Sequence, residues 1–130
     1  GLRAISADIT AVGLNYWVGD DKEMQERLAP IANECASIIG IKQNFTPDDF
    51  NVTCEFAKPD FGEPSKTSLE TMRIVAHSEG IILDPVYTAK AMDGLVKHIR
   101  NGRLQRDDVV IFLHTGGTPA IFAYGDELFG

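Results

Sequence analysis

Apolar residues recur along the chain at two different spacings, which predict two kinds of secondary structure. Helical spacing, at every third or fourth position, covers Asp21 to Ile39, Ser68 to about Ser78, and Ala89 to Asn101. Short apolar runs, typical of strands, are ITAVGL at 9–14, NVTCEF at 51–56, GIILDPVY at 80–87 and DVVIFLHT at 108–115. Strands that alternate with helices predict an α/β fold, a parallel sheet with helices on both faces.

Polar residues next to the helical segments predict where each helix begins. Asp20 is the expected N-cap of the first helix, and Thr67 with Glu70 has the capping-box pattern for the second. Thr88 stands in front of the third helix as an expected cap. Thr118, followed by proline, predicts one more helix start after the last apolar run.

Length and charge narrow the classes of function. With 130 residues the chain is long enough for one domain with its own core, or for half of a larger enzyme. A formal net charge of −7 disfavours nucleic-acid binding, which needs a basic face. Because no apolar run approaches the roughly 20 residues of a membrane span, no membrane association is expected.

Cysteine and histidine usage predicts no metal site. Cys35 and Cys54 lack the CxxC spacing, and the histidines His77, His98 and His114 are isolated from one another. A reducing, cytoplasmic location is the default expectation for such a chain. Cys35 lies on the apolar stripe of the first helix, which predicts a small buried side chain there.

Two segments end an apolar run with polar groups suited to ligand binding. In open α/β sheets, ligands bind beyond the carboxyl ends of strands, and DPVYT and HTGG follow two of the predicted strands. Tyr87, Thr88 and Thr115 offer hydroxyls, while Gly116 and Gly117 permit a sharp turn and close approach of a flat ligand. Taken singly, two glycines can also be an ordinary turn, and Thr88 can be an ordinary helix cap.

Longer motifs around these residues resemble a known enzyme family. EGIILDPVYTAKAMDGL at 79–95 and FLHTGGTPAIFAY at 112–124 closely resemble the D-cysteine desulfhydrases and 1-aminocyclopropane-1-carboxylate deaminases. The resemblance is specific from about Phe61 onward and weaker from Gly1 to Gly40. It implies pyridoxal phosphate as the cofactor and a tryptophan-synthase-β-like (fold type II) arrangement. Residues 1–130 would then be the C-terminal part of the larger domain.

The resemblance also implies roles for individual residues. Tyr87 matches a tyrosine beside the cofactor and the reacting carbon of the substrate, so it is the catalytic candidate. Thr115 matches the position near the pyridine nitrogen, and with Thr88, Gly116 and Gly117 it forms the predicted cofactor-binding set. The deaminases resemble DPVYE and HLGG at these places, whereas the desulfhydrases resemble DPVYT and HTGG, as in this chain.

The implied reaction is elimination of a β-leaving group from a small amino acid. D-cysteine would yield pyruvate, sulfide and ammonia. The complete enzyme is expected to be a homodimer. Alternatives are a cysteate sulfo-lyase, a 1-aminocyclopropane-1-carboxylate deaminase, or a non-catalytic α/β module that binds a small ligand.

Two features depart from the family pattern. Phe61 in DFGEP stands where the family usually has a tyrosine in GYG. The family's Schiff-base lysine and phosphate-binding loop would lie N-terminal to the present residues. The opening GLRAISADIT, with neither an initiating methionine nor a signal-peptide pattern, predicts a start inside a longer chain. Lys90 is interpreted as a solvated or structural lysine rather than a nucleophile.

Overall fold

The computed structural model describes residues 8–15, 19–59 and 62–129 of the chain. Its regular elements, in chain order, are β1 (Gly13–Leu14), α1 (Asp21–Ile38), a 3₁₀ turn (Pro47–Asp49), β2 (Val52–Thr53), α2 (Lys66–Glu79), α3 (Thr88–Arg100), a 3₁₀ segment (Thr118–Ala123) and α4 (Gly125–Phe129). The three long helices correspond to the three predicted from the apolar spacing. None of these helices is long and apolar enough to cross a bilayer.

The two strands pair in parallel, which confirms the predicted α/β class. Gly13 is opposite Val52, and Leu14 is opposite Thr53. The Gly13 amide donates to the Asn51 carbonyl at 2.8 Å, and the Asn15 amide donates to the Thr53 carbonyl at 2.9 Å. Both strands are shorter than the apolar runs at 9–14 and 51–56 that predicted them.

The predicted strands at 80–87 and 108–115 have no ladder within the described parts of the chain, so this prediction is corrected. Residues 109–117 lack regular secondary structure, and Val109 is 94% exposed, Ile111 84% and Leu113 79%. An apolar run becomes a strand only when a neighbouring segment supplies partners for its amides and carbonyls. The sheet of the described residues contains only β1 and β2.

Helix α1 begins as predicted, but its apolar stripe is largely uncovered. The Asp20 carboxylate accepts a hydrogen bond from the Lys22 amide at 2.6 Å and caps the helix. Cys35, expected to be buried, is exposed, and so are Ile31 at 56% and Ile38 at 77%. Helical spacing identifies the apolar face of α1, whereas burial depends on what packs against that face.

Helix α2 begins two residues before the predicted start and has a different cap. Ser65 is the N-cap, and its hydroxyl accepts from the Ser68 amide at 2.9 Å, while the Ser68 hydroxyl accepts from the Ser65 amide. The capping box predicted at Thr67 and Glu70 is therefore wrong. Instead, the Thr67 hydroxyl donates to the Asp93 carboxylate at 2.8 Å and so links α2 to α3.

The main hydrophobic core lies between α2, the start of α3 and the C-terminal segments. Its buried members are Met72, Val75, Leu83, Ala89 and Leu128. Leu83 and Ala89 are both fully buried, and they flank the segment DPVYT in sequence. The core therefore anchors both ends of that segment and positions it between the helices.

Candidate functional site

Asp84 organises the start of α3. Its Oδ2 accepts from the amides of Val86 at 2.9 Å and Tyr87 at 2.7 Å. Its Oδ1 accepts from the Thr88 amide at 2.8 Å and the Thr88 hydroxyl at 2.6 Å. The cap of α3 is thus the Asp84 side chain, and the prediction that Thr88 caps this helix is corrected. A further hydrogen bond joins the same two residues in the opposite direction, since the Asp84 amide donates to the Thr88 hydroxyl at 2.8 Å.

These hydrogen bonds change the ionisation of Asp84. The residue has no exposed surface, and burial by itself would raise the pKa of its carboxyl. Hydrogen bonds from the Thr88 hydroxyl and from the amides of Thr88, Tyr87 and Val86 together outweigh burial, and the pKa lies below its usual value. The carboxylate is therefore held in its charged form.

His114 joins the HTGG loop to the segment that precedes Asp84. Its Nε2 lies 3.1 Å from the Ile82 carbonyl oxygen, and its Nδ1 accepts from the Gly116 amide at 3.1 Å. Both bonds form together in the tautomer that carries its hydrogen on Nε2. The Thr118 hydroxyl also reaches the Ile82 carbonyl, at 3.5 Å. The loop is thus held against the segment that leads into Asp84.

The two adjacent glycines have different environments. Both have left-handed backbones, with φ of 96° at Gly116 and 88° at Gly117. A Cβ on Gly117 would lie 3.0 Å from Cγ and Oδ1 of Asp84, whereas a Cβ on Gly116 would meet nothing within 4 Å. Gly117, rather than Thr118, is the N-cap of the 3₁₀ segment, which corrects the prediction made for Thr118. Gly117 therefore packs directly on the Asp84 carboxylate.

The predicted site residues divide into exposed and buried groups. Thr115 is exposed and Tyr87 is 41% exposed, so both hydroxyls lie on side chains that solvent can reach. Thr88 is 2% exposed. Contacts of His114 and Gly117 with residues 82–84 bring the loop of Thr115 beside the segment that leads to Tyr87. The individual roles of these residues remain predictions.

Sequence reasoning missed Asp84 as a part of the site. Asp84 opens the DPVYT segment, but the pattern gave it no role of its own. The available signal was an aspartate followed by proline shortly before a helix, because aspartate side chains commonly accept from amides two to four residues later.

Lys90 and Tyr124 each form a hydrogen bond with a backbone carbonyl, of Ala57 and Gly62 respectively. Lys90 is 4% exposed and donates to the Ala57 carbonyl at 2.9 Å. Of the two interpretations of Lys90, solvated or structural, the buried position fits the structural one. The Tyr124 hydroxyl donates to the Gly62 carbonyl at 2.6 Å. Phe61 itself lies outside the described residues.

Two cavities among the described residues lie away from this site. An apolar groove of about 450 Å³ runs between α1 and the strands, lined by residues that include Leu28, Ala32 and Phe45. A second, open depression of about 540 Å³ is lined by residues 40–44 with Asn33 and Ser37. Neither includes Tyr87 or Thr115. Among the described histidine, cysteine and acidic side chains, no group of three is placed to hold a metal ion.

Alanine at Gly117 should destabilise the protein more than alanine at Gly116. Both substitutions place a side chain on a left-handed backbone, at a cost of roughly 1–2 kcal/mol. Gly117→Ala must also displace the buried Asp84 carboxylate, which adds about 1–3 kcal/mol, as overpacking does. Urea denaturation of the two variants measures the difference. Equal losses would mean that Asp84 does not restrict position 117.

Asp84 should also make stability depend on acid pH. An unfolded aspartate has a pKa of about 3.9, and the folded pKa of Asp84 is lower, so the stabilisation is present above about pH 4 and is lost as the pH falls through the folded pKa. Asp84→Asn should lower the free energy of unfolding at neutral pH and reduce its decline in acid. Denaturation curves measured across the acid range test this. Identical acid slopes in both proteins would contradict it.

Comparison with known proteins identifies the family. No family model matches the chain. A 1-aminocyclopropane-1-carboxylate deaminase of Pseudomonas syringae pv. tomato is 33% identical over 87% of this chain and 33% of its own length. A D-cysteine desulfhydrase of Yersinia enterocolitica is 36% identical over 82% of this chain and 32% of its own length. A D-cysteine desulfhydrase of Salmonella typhi is 32% identical over 95% of this chain and 37% of its own length.

The fold has a solved counterpart. A crystal structure described as an ACC deaminase homologue superposes with a TM-score of 0.83 at 34% identity, over 98% of this chain and 37% of that chain. The chain thus spans about a third of the length of the relatives that it matches. Over that length, the chain belongs to the family of 1-aminocyclopropane-1-carboxylate deaminases and D-cysteine desulfhydrases.

Proposed function

We propose that the complete protein is a pyridoxal-phosphate-dependent lyase that converts D-cysteine and water to pyruvate, sulfide and ammonia. The observation that carries this proposal is the junction at Asp84, where the helix start of Tyr87 and the loop of Thr115 are held side by side. Residues 1–130 would form the C-terminal part of the larger domain. The remaining cofactor-binding groups, including the lysine, would belong to the rest of the polypeptide.

The loop at 115–117 suits the cofactor that the family implies. Thr115 presents an exposed hydroxyl, and the space beside Gly116 is open where a side chain would otherwise project. A flat aromatic ring can approach a backbone of this kind closely. Thr115 would hold the pyridine nitrogen, and Gly116 would leave room for the ring. When bound, pyridoxal phosphate supplies an electron sink that allows the α-proton of the substrate to be lost.

The hydroxyl at Thr115 bears on the choice of leaving group. A carboxylate beside the pyridine nitrogen would favour its protonated form, whereas a hydroxyl donates one hydrogen bond and leaves the nitrogen neutral. A neutral ring is a weaker sink, which suffices when the leaving group is as good as sulfide. Tyr87, at the start of α3, would hold or deliver a proton at the reacting carbon of the substrate.

A second candidate is deamination of 1-aminocyclopropane-1-carboxylate. It is favoured by relatives of that name, including a probable deaminase of Schizosaccharomyces pombe that is 36% identical over 72% of this chain and 28% of its own length. The two candidates are separated by product analysis of the complete protein. Sulfide and pyruvate from D-cysteine support the proposal, whereas ammonia from the cyclopropane substrate alone supports the deaminase.

We also propose that the complete protein is a cytoplasmic homodimer whose substrates are small amino acids and which binds neither nucleic acid nor a membrane. The family resemblance supports this, together with the net charge of −7, which disfavours nucleic acid. The mass of the complete protein in solution, measured by sedimentation, tests the dimer. A monomer at micromolar concentration would contradict it.

Thr115→Val and Thr88→Val should affect the complete enzyme in different ways. The first removes the proposed partner of the pyridine nitrogen and should lower kcat by roughly ten- to a hundredfold, while the stability of the cofactor-free protein changes by less than about 0.5 kcal/mol. The second removes both buried hydrogen bonds of the Thr88 hydroxyl, the one donated to the Asp84 carboxylate and the one accepted from the Asp84 amide, and should cost about 1–3 kcal/mol of stability without cofactor. Elimination kinetics and melting of the cofactor-free variants measure both effects. Wild-type kinetics in Thr115→Val would exclude Thr115 from the site.

A further inference from the structure

We propose that Asp84 is a positioning residue, one buried carboxylate that fixes Tyr87 and the loop of Thr115 relative to each other. The inference rests on the proposed function for its catalytic consequence. Its structural part, the coupling of two segments through one side chain, can be tested in the absence of cofactor and substrate.

On the helix side, Asp84 fixes the backbone of Tyr87. The Tyr87 amide donates to Oδ2 at 2.7 Å, and the amides on either side, of Val86 and Thr88, donate to the same carboxylate. Three consecutive peptide groups are thereby oriented by one acceptor. The Tyr87 side chain, which is 41% exposed, extends from this anchored backbone.

On the loop side, Asp84 sets how closely the glycine loop can approach. Gly117 lies so near that a Cβ there would come within 3.0 Å of Cγ and Oδ1. Three residues before Gly117, His114 also ties the loop to the segment that leads into Asp84, with its Nε2 3.1 Å from the Ile82 carbonyl oxygen. A displaced Asp84 side chain would therefore disturb both Tyr87 and the loop that presents Thr115.

The chemistry at this position requires a carboxylate of aspartate length. Four donor groups converge on its two oxygens, so an amide, which has one oxygen, leaves donors facing an NH₂ group. Asparagine keeps the shape while removing that acceptor. Its effect thus reports the hydrogen bonds rather than a loss of volume.

Asp93 provides a matched control. It is also buried, at 6% exposure, and accepts from the hydroxyls of Thr67 at 2.8 Å and Thr71 at 3.2 Å and from the Lys97 ammonium at 2.8 Å. Its partners join α2 to α3 and include neither Tyr87 nor the glycine loop. Asp93→Asn therefore perturbs a comparable buried carboxylate away from the site.

The first measurement is hydrogen exchange of the complete, cofactor-free protein by mass spectrometry. Asp84→Asn should speed exchange by about tenfold or more in peptides that cover 84–88 and 114–118, because the local structure opens more readily. Asp93→Asn should speed exchange in α2 and α3 and leave 114–118 unchanged. The inference would be overturned if exchange at 114–118 were unchanged in Asp84→Asn. It would also be overturned if Asp93→Asn increased exchange at 114–118 as much as Asp84→Asn does.

The second measurement separates positioning from a general loss of stability. In the complete enzyme with D-cysteine, Asp84→Asn should lower kcat by about ten- to a hundredfold with less than about threefold change in KM, as expected when reacting groups are misplaced. Asp93→Asn should keep kcat within about twofold of the wild type. Equal loss of kcat in both variants, or wild-type kcat in Asp84→Asn, would refute the positioning role.

Two further outcomes remain decisive. If Asp84→Asn does not fold, Gly117→Ala perturbs the same contact from the side of the loop. This variant should speed exchange at 84–88, and unchanged exchange there would overturn the inference. A wild-type protein that turns over no D-cysteine would refute the proposed function, and the exchange data would still decide whether Asp84 couples the two segments.

Discussion

A buried carboxylate must be surrounded by hydrogen-bond donors, and at Asp84 this requirement determines the path of the chain on both sides. Burying an unpaired charge costs far more than a folded domain can absorb. The four donor groups all belong to residues 86–88, so the chain has to turn directly after Asp84 and enter α3. The start of α3, and with it the place of Tyr87, follows from this one electrostatic demand.

The core supports the junction from beneath. Leu83 and Ala89, on either side of it, are fully buried and pack with Met72 and Val75 of α2. Close packing of this kind resists small displacements, since neighbouring side chains leave no space to move into. Hydrophobic burial thus fixes the position of the segment, while the hydrogen bonds to Asp84 fix its conformation.

Sequence reasoning succeeded where structure depends on nearby residues. The three long helices and the Asp20 cap follow from periodicity and from hydrogen bonds within one turn. It failed where a distant partner decides the outcome. Thr67 looks like a cap in sequence, but its hydroxyl donates to Asp93, 26 residues later. The apolar runs at 80–87 and 108–115 look like strands in sequence, yet a strand exists only when a neighbouring segment pairs with it.

The site could be predicted only in part, for the same physical reason. Tyr87 and Thr115 stand in motifs that resemble the family, so the sequence names them as candidates, and their roles stay predictions. Asp84 stands in one of those motifs, but its importance arises from complete burial and convergent donors, which depend on tertiary packing. The fold class was accessible because alternation of helices and apolar runs is visible in sequence.

The two glycines of the HTGG motif show how one motif can combine two requirements. Gly117 is needed by the scaffold, since its backbone is left-handed and the Asp84 carboxylate occupies the space of a side chain. Gly116 has the same backbone requirement but faces open space, where a ligand could approach. A chain that kept Asp84 and Gly117 but lost Thr115 would retain the junction without the hydroxyl that the proposed reaction uses. The motif therefore indicates the fold more strongly than the reaction, and the residue that distinguishes the two is Thr115.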